Sequence, residues 1–426
     1  MKLLVKTRTS HPLIAVDLWL RAGAREERRG ENGSAHFLEH AVFKGTESRP
    51  SGESDAAVEN LGATFNAATG PDYVHFYTTV SSRHLSKALE ILSDIVRNAT
   101  LPDPEIERER GVILSELAQR DADPTSVLIG KLYLTGFASH PYSHPPGGEQ
   151  DGIRIRARDT LANFYSRQYN PDRATLVIVG DCSFESAQKA CQGAFGSWKR
   201  SSEAAYAVRP EASVPAYSPF RSVEVSRIGV GAVGFAFPAP VAKDFLDACV
   251  GQVVAAILGD SEFGGRLATP GLKGSAVQVS VTPRMDTSLM SFTATLATRT
   301  TVTGASLFNP GGKTTSQTNE VAETSDSRNL RLNRLEEALA SVLQNMRDHP
   351  PLKSEVEAAK QRVLGSLIFS QETDAGCAAA IGYSYLVGGD GPEAFRKRLQ
   401  QVSVQDVDSY IHTYLSDDLR STIVLN

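Results

Sequence analysis

Cysteine is scarce in this 426-residue chain: four residues, Cys182, Cys191, Cys249 and Cys377, with no CxxC spacing among them. That excludes a cysteine zinc knuckle and a disulfide scaffold, and it fits a reducing compartment, here a bacterial-type cytoplasm. Charge of one sign is also missing. A formal net charge of −5, with 22% charged residues, leaves no broad basic field for nucleic acid or an anionic membrane. Long apolar runs are absent too, and nothing approaches the roughly 18 or more apolar residues of a membrane span. The opening MKLLVKTRTSHPLIAV breaks its apolar run with Lys6, Arg8 and Pro12, and reads as the start of a strand, not a signal peptide. What remains is a soluble globular chain, 41% apolar and long enough for two or more domains.

Strand and helix patterns alternate along it. Leu13 to Ala22 and Ala174 to Val179 read as strands, and Thr64 to Val80 as two strands around the turn residues Thr69-Gly70-Pro71-Asp72. Ala35 to Phe43 is a short helix, Asp55 begins another, and Leu85 to Asn98 and Pro104 to Arg120 are longer ones. Asp103 is placed to cap the last of these, with Pro104 in its first turn. Leu85 to Leu117 is echoed by Leu335 to Leu367 at an offset of 250 residues: helix, proline break, second helix. The echo predicts two copies of one α/β unit, an α+β fold in which mixed or antiparallel sheets are flanked by helices. The expected division is a first domain over 1–205, a linker at 206–220 rich in serine, alanine and proline, and a diverged second domain over 221–426. Residues 303–328 are polar and aperiodic, and are expected to form a mobile surface insertion.

The chemistry concentrates in Asn32-Gly33-Ser34-Ala35-His36-Phe37-Leu38-Glu39-His40. Ser34 or Asn32 is placed to cap a helix on which His36 and His40, four apart, project from one face and can share a metal. Glu39 lies on the flank of that face, able to reach a metal-activated water without being a ligand, while Phe37 and Leu38 point to the core. The spacing inverts the HExxH zinc helix. His140 and His144 are also four apart, but Pro141, Pro145 and Pro146 forbid a helix there and make them loop residues. A catalytic zinc site needs a third protein ligand. Helix 104–120 offers Glu105, Glu107, Glu109 and Glu116. Glu109 and Glu116 face the same way, and Glu116 lies in an apolar run where an unpaired carboxylate is costly. Glu116 falls opposite Ser366 in the second copy, and Glu109 opposite Ala359.

Gly33 to Thr46 and Ile106 to Glu116 together resemble the inverted-zincin signature of the pitrilysin/insulinase family, in its processing-peptidase branch. The likeness is close to about Gly180 and architectural beyond. It implies one Zn2+ on His36, His40 and Glu116, Glu39 as general base, Glu109 supporting the site, and a two-half chain enclosing a chamber with a partner. It also implies that a peptide substrate adds to an edge strand at Asn66 and Ala67, a stretch that reads equally as an ordinary hairpin. Relatives hold substrate with an arginine and a tyrosine from the second half. Here Tyr383 matches, but no arginine occurs between Phe369 and Phe395, and Cys377 occupies the expected position. The zinc-bearing chain of a dimer, whose homologous partner supplies the arginine and tyrosine, is the expected assembly. The expected activity is a zinc endopeptidase acting on short or unfolded peptides. The alternatives are a dedicated leader-peptide processing enzyme and a non-catalytic structural subunit.

Overall fold

The computed structural model describes residues 1–137, 140–202, 217–226, 229–259, 265–296 and 324–426. Among these residues ten strands form two five-stranded sheets. The first contains β1 (Lys2–Thr7), β2 (Leu13–Leu20), β3 (Asn66–Thr69), β4 (Val74–Ser81) and β5 (Ala174–Gly180). The second contains β6 (Arg221–Glu224), β7 (Ala232–Ala239), β8 (Ser275–Val281), β9 (Ser288–Leu296) and β10 (Ser421–Leu425). Their orders are β1-β5-β2-β4-β3 and β6-β10-β7-β9-β8, the same permutation. In each sheet one edge pair is parallel and the other pairs are antiparallel. The α+β architecture with two similar halves is therefore present as expected.

Eight helices lie in the first half: α1 (Ser34–Ala41), α2 (Glu53–Glu59), α3 (Leu85–Arg97), α4 (Asp103–Ala122), α5 (Pro124–Gly136), α6 (Gln150–Arg154), α7 (Arg158–Gln168) and α8 (Phe184–Phe195). Six follow: α9 (Phe245–Leu258), α10 (Ser325–Asp348), α11 (Lys353–Ser370), α12 (Asp374–Leu386), α13 (Pro392–Gln401) and α14 (Val404–Tyr414). Period-two alternation in β2 sends Ile14, Val16, Leu18 and Leu20 into one core with Phe37 and Leu38 of α1 and Leu89 and Leu92 of α3. The second half repeats this with Phe235, Phe237 and Phe292 against α9 and α10.

The other face of each sheet is covered by a helix from the opposite half. Leu128 and Leu132 of α5 pack on Ala232, Ala236 and Ile423, while Cys377 and Ala378 of α12 pack on Ala15, Trp19 and Val177. These two helices are themselves 250 residues apart. The exchange demands a small residue at Gly382, where a Cβ would lie 2.1 Å from Trp19 Nε1. A charged contact reinforces it: Asp286, in the β8–β9 turn, takes the Arg25 guanidinium at 2.5 and 2.9 Å and His140 Nε2 at 3.2 Å.

Two capping expectations need correction. Asp103 is the first residue of α4 and makes no side-chain cap; Pro102 holds the cap position. Neither Ser34 nor Asn32 caps α1. Gly33 holds that position at φ 86°, and the Glu27 carboxylate accepts from Gly33 N at 3.0 Å and Ala35 N at 2.8 Å. The two oxygens of an upstream carboxyl group reach two of the helix's free amide donors at once, which a single local hydroxyl does not. Most of the expected linker at 206–220 lies outside the described residues. So does most of 303–328, except that Thr324 caps α10 and Ser325 begins it.

Candidate functional site

Helix α1 packs against α4, α7 and the edge strand β3. Its buried side is Phe37 and Leu38, both fully enclosed, which turns His36, Glu39 and His40 toward α4 and β3. Glycines let the neighbouring loop close over its start: Gly148, at φ 73°, would drive a Cβ to 2.7 Å from Gly33 Cα.

His36, His40 and Glu116 converge. Their donor atoms lie within 4.8 Å of one another, and no other group of three or more potential ligands occurs among the described residues. Glu116 Oε2 stands 3.6 Å from His36 Nε2 and 3.5 Å from His40 Nε2. Those separations are too long for good hydrogen bonds. They approach the roughly 3.3 Å between donors held about 2.0–2.1 Å from one tetrahedral ion. Burial, then the charges of His40 and Arg120, push the His36 imidazole down to about 4, so at neutral pH it is an uncharged donor. Two imidazole nitrogens and a carboxylate oxygen converging at this spacing fit a divalent cation.

Behind His40, its Nδ1 lies 3.1 Å from Glu109 Oε2, and Lys44 Nζ lies 3.1 Å from the other oxygen of the same carboxylate. An Nδ1–H donated to Glu109 leaves the Nε2 lone pair facing Glu116, the arrangement that orients a ligating histidine. Glu109 thus acts through His40 and is a positioning residue. It is the buried carboxylate of α4, 8% exposed. The expectation that Glu116 is sunk in apolar surroundings is overturned. Its side chain is 45% exposed, because Ile113 and Leu117 take the core-facing positions and leave Glu116 at the cleft rim.

Glu39 accepts a 2.5 Å hydrogen bond from Thr69 Oγ1 on β3. Burial raises its proton affinity, opposed by that hydroxyl and by His40. Asn66 and Ala67 lie on β3, which among the described residues pairs only with β4 and leaves its other edge unpaired beside α1. Tyr383 is not brought to the cluster: its hydroxyl donates to Pro283 O at 2.7 Å, and its ring meets Trp19 and Tyr73 on the opposite face of the sheet. His140 and His144 flank a single 3-10 turn and share no ligand group, as their prolines require. Sequence reasoning missed Glu27, Thr69 and Lys44. Only Lys44, one turn after His40, left a local signal.

The model described as "Insulinase (Peptidase family M16)" matches residues 2–148, and that described as "Peptidase M16 inactive domain" matches residues 157–363. The chain belongs to the insulinase family, peptidase family M16. Among curated relatives, mitochondrial cytochrome b-c1 complex subunit 1 of Bos taurus is 34% identical over 218 residues, covering 50% of this chain and 43% of that protein. The mitochondrial-processing peptidase subunit beta of Homo sapiens is 36% identical over 170 residues, covering 40% and 35%. The matched stretch thus spans less than half the length of these relatives. A protease from Helicobacter pylori shares the fold with a TM-score of 0.81 at 20% identity, over 99% of this chain and 96% of that one. The M16 inactive domain structure from Pseudomonas fluorescens gives 0.79 at 19%, over 99% and 95%.

Proposed function

We propose that this family M16 chain is a zinc-dependent endopeptidase of short or unfolded peptides, with zinc on His36, His40 and Glu116. One observation carries the reading: the two Nε2 atoms and one carboxylate oxygen converge at 3.5 and 3.6 Å, too far apart to hydrogen-bond well and close enough to share an ion, backed by Glu109 on His40. Zinc so held supplies a Lewis acid that polarises a carbonyl and acidifies a water molecule. Glu39 takes the water proton and delivers it to the leaving amine, and the Thr69 hydroxyl fixes the carboxylate for that task. The free edge of β3 at Asn66 and Ala67 receives the peptide as a further strand, setting its backbone beside Glu39.

The chain works as the zinc-bearing member of a dimer. Relatives named as subunits and the engagement of the Tyr383 hydroxyl with Pro283 support a partner chain that supplies further substrate contacts. Four unpaired cysteines support a reducing compartment such as the cytoplasm. Similarity to a cytochrome b-c1 subunit favours a second reading, a non-catalytic structural subunit. Zinc content by mass spectrometry, with hydrolysis of a quenched peptide library before and after chelation, decides between them. About one zinc per chain with chelator-sensitive cleavage supports the peptidase. A metal-free protein inert in every assembly overturns it.

A further inference from the structure

Arg284, in the turn between β8 and β9, projects from the second half into a cavity against the first. Its guanidinium lies 4.0 Å from the Tyr133 ring centre and 5.1 Å from that of Tyr142. Among the described residues no acceptor lies within hydrogen-bond distance of it. The neighbouring Asp72 carboxylate feels the Arg284 charge but is not hydrogen-bonded to it, accepting from the Tyr142 hydroxyl and from Met285 N. A half-buried guanidinium stacked on two tyrosines, with none of its N–H donors used, keeps its planar fork free for a ligand.

The cavity it lines is about 210 Å3, shared with Arg120, Tyr133, Tyr142, His144 and Pro146. His144 Nδ1 is buried there without a partner. A larger cleft of about 730 Å3 shares Arg120, Ser143 and Pro145 with it and leads outward. One lining residue links the cavity to the candidate metal cluster along α4. Arg120 follows Glu116 by one turn of α4, and a Cβ at Gly147 would be 3.6 Å from both Arg120 Nη1 and His36 Nδ1.

We propose that this cavity is a carboxylate-binding subsite, in which Arg284 takes the negative end of a peptide whose backbone lies at Glu39. Aromatic walls accept the side chain or stem, and the guanidinium provides a planar fork matched to a carboxylate. The carboxylate is either the chain terminus or an aspartate or glutamate side chain. The proposal rests on the peptidase reading for the direction of the peptide, but its test does not.

Binding is measured by fluorescence anisotropy on the full chain carrying Glu39→Gln, so that no cleavage intervenes. The probes are a labelled alanine-rich pentapeptide with a free C-terminal carboxylate, its C-terminal amide, and amide-ended versions with one internal glutamate or glutamine. The acid of one pair should bind at least roughly tenfold tighter than its neutral twin, the worth of one charge-assisted hydrogen bond. Arg284→Gln should bring that ratio to about one and Arg284→Lys restore part of it. Because the ratio is taken within one protein, a loss of stability in the variant does not mimic the effect. Which pair responds to Arg284 identifies the source of the carboxylate. Equal binding within both pairs, or a preference that survives Arg284→Gln, overturns the subsite. Absence of zinc and of hydrolysis in the wild type, with the Arg284-dependent preference intact, removes the peptidase reading alone.

Discussion

The two halves share one sheet order, and six of the first half's eight helices recur in the second, yet the candidate site is present in only one of them. The comparison is sharpest between α4 and α11, which match at 250 residues. Arg110 donates to Ile153 O and to Arg156 O, tying α4 to the turn before α7; its counterpart Lys360 donates to Gln400 O and Val402 O, tying α11 to the turn before α14. That structural cation is kept. Glu109 and Glu116, by contrast, become the buried Ala359 and the exposed Ser366. Ser366 lines a groove with Gln252 of α9 and Val279 of the edge strand β8, the place in the second half where the first has His36, Glu39 and β3. Helix α9 carries no histidine and no glutamate. The scaffold survives without the site because backbone pairing and core packing never needed those side chains.

The largest expected effect tests that asymmetry directly. Glu39→Gln should lower kcat by about 10²–10⁴-fold with zinc content unchanged, whereas Ser366→Ala, at the silent counterpart of Glu116, should leave both unchanged. Steady-state hydrolysis with metal analysis checks the pair; an equal loss in both would erase the distinction. Next in size is Leu128→Ala, which removes a fully buried side chain that the first half lends to the second sheet. It should cost about 2–5 kcal/mol in urea unfolding. Its twin, Ala378→Leu on α12, should cost about 1–3 kcal/mol by overpacking against the first sheet. If either change left stability untouched, the exchange of helices would not be holding the halves together.

Glu109→Gln should weaken zinc binding by about 10–100-fold, read by chelator competition, because His40 loses the carboxylate that fixes its ring. Arg110→Ala and Lys360→Ala should each cost about 1–3 kcal/mol, by freeing buried carbonyls in equivalent places. The smallest effect concerns pH. Burial raises the Glu27 carboxyl to about 8 in the folded chain, against 4.5 as the ordinary value. The folded state therefore holds the proton more tightly, and its stabilising contribution, complete below about 4.5, is lost as pH rises through about 8. The Tm should drop between pH 6 and 9 in the wild type and drop less in Glu27→Gln.

Much of the fold was legible. The apolar, β-branched run from Leu13, the strands around the turn at Gly70-Pro71, and the repeat at 250 residues are local or self-referential signals. So was the His36–His40 pair, because two residues four apart on a helix share a face whatever the rest of the chain does. Glu116 was legible as a candidate, but its setting was misread: apolar neighbours in sequence spiral to other sides of a helix, and the carboxylate emerges at the cleft. Glu27 and Thr69 could not be seen, since the turn and the strand that carry them meet α1 only through tertiary contact. Nor could the exchange of α5 and α12, since nothing local distinguishes a helix that covers its own sheet from one that covers its neighbour's.

By itself, the sequence determined the element types, the repeat and the helix bearing two histidines and a glutamate, all consequences of short-range periodicity. The tertiary structure alone decided which carboxyl group caps that helix, which one touches His40 Nδ1, and that the Arg284 guanidinium faces a shared cavity with no hydrogen bond made. Those are relations between segments far apart in the chain, set by packing energies summed over both halves, and no local pattern encodes them.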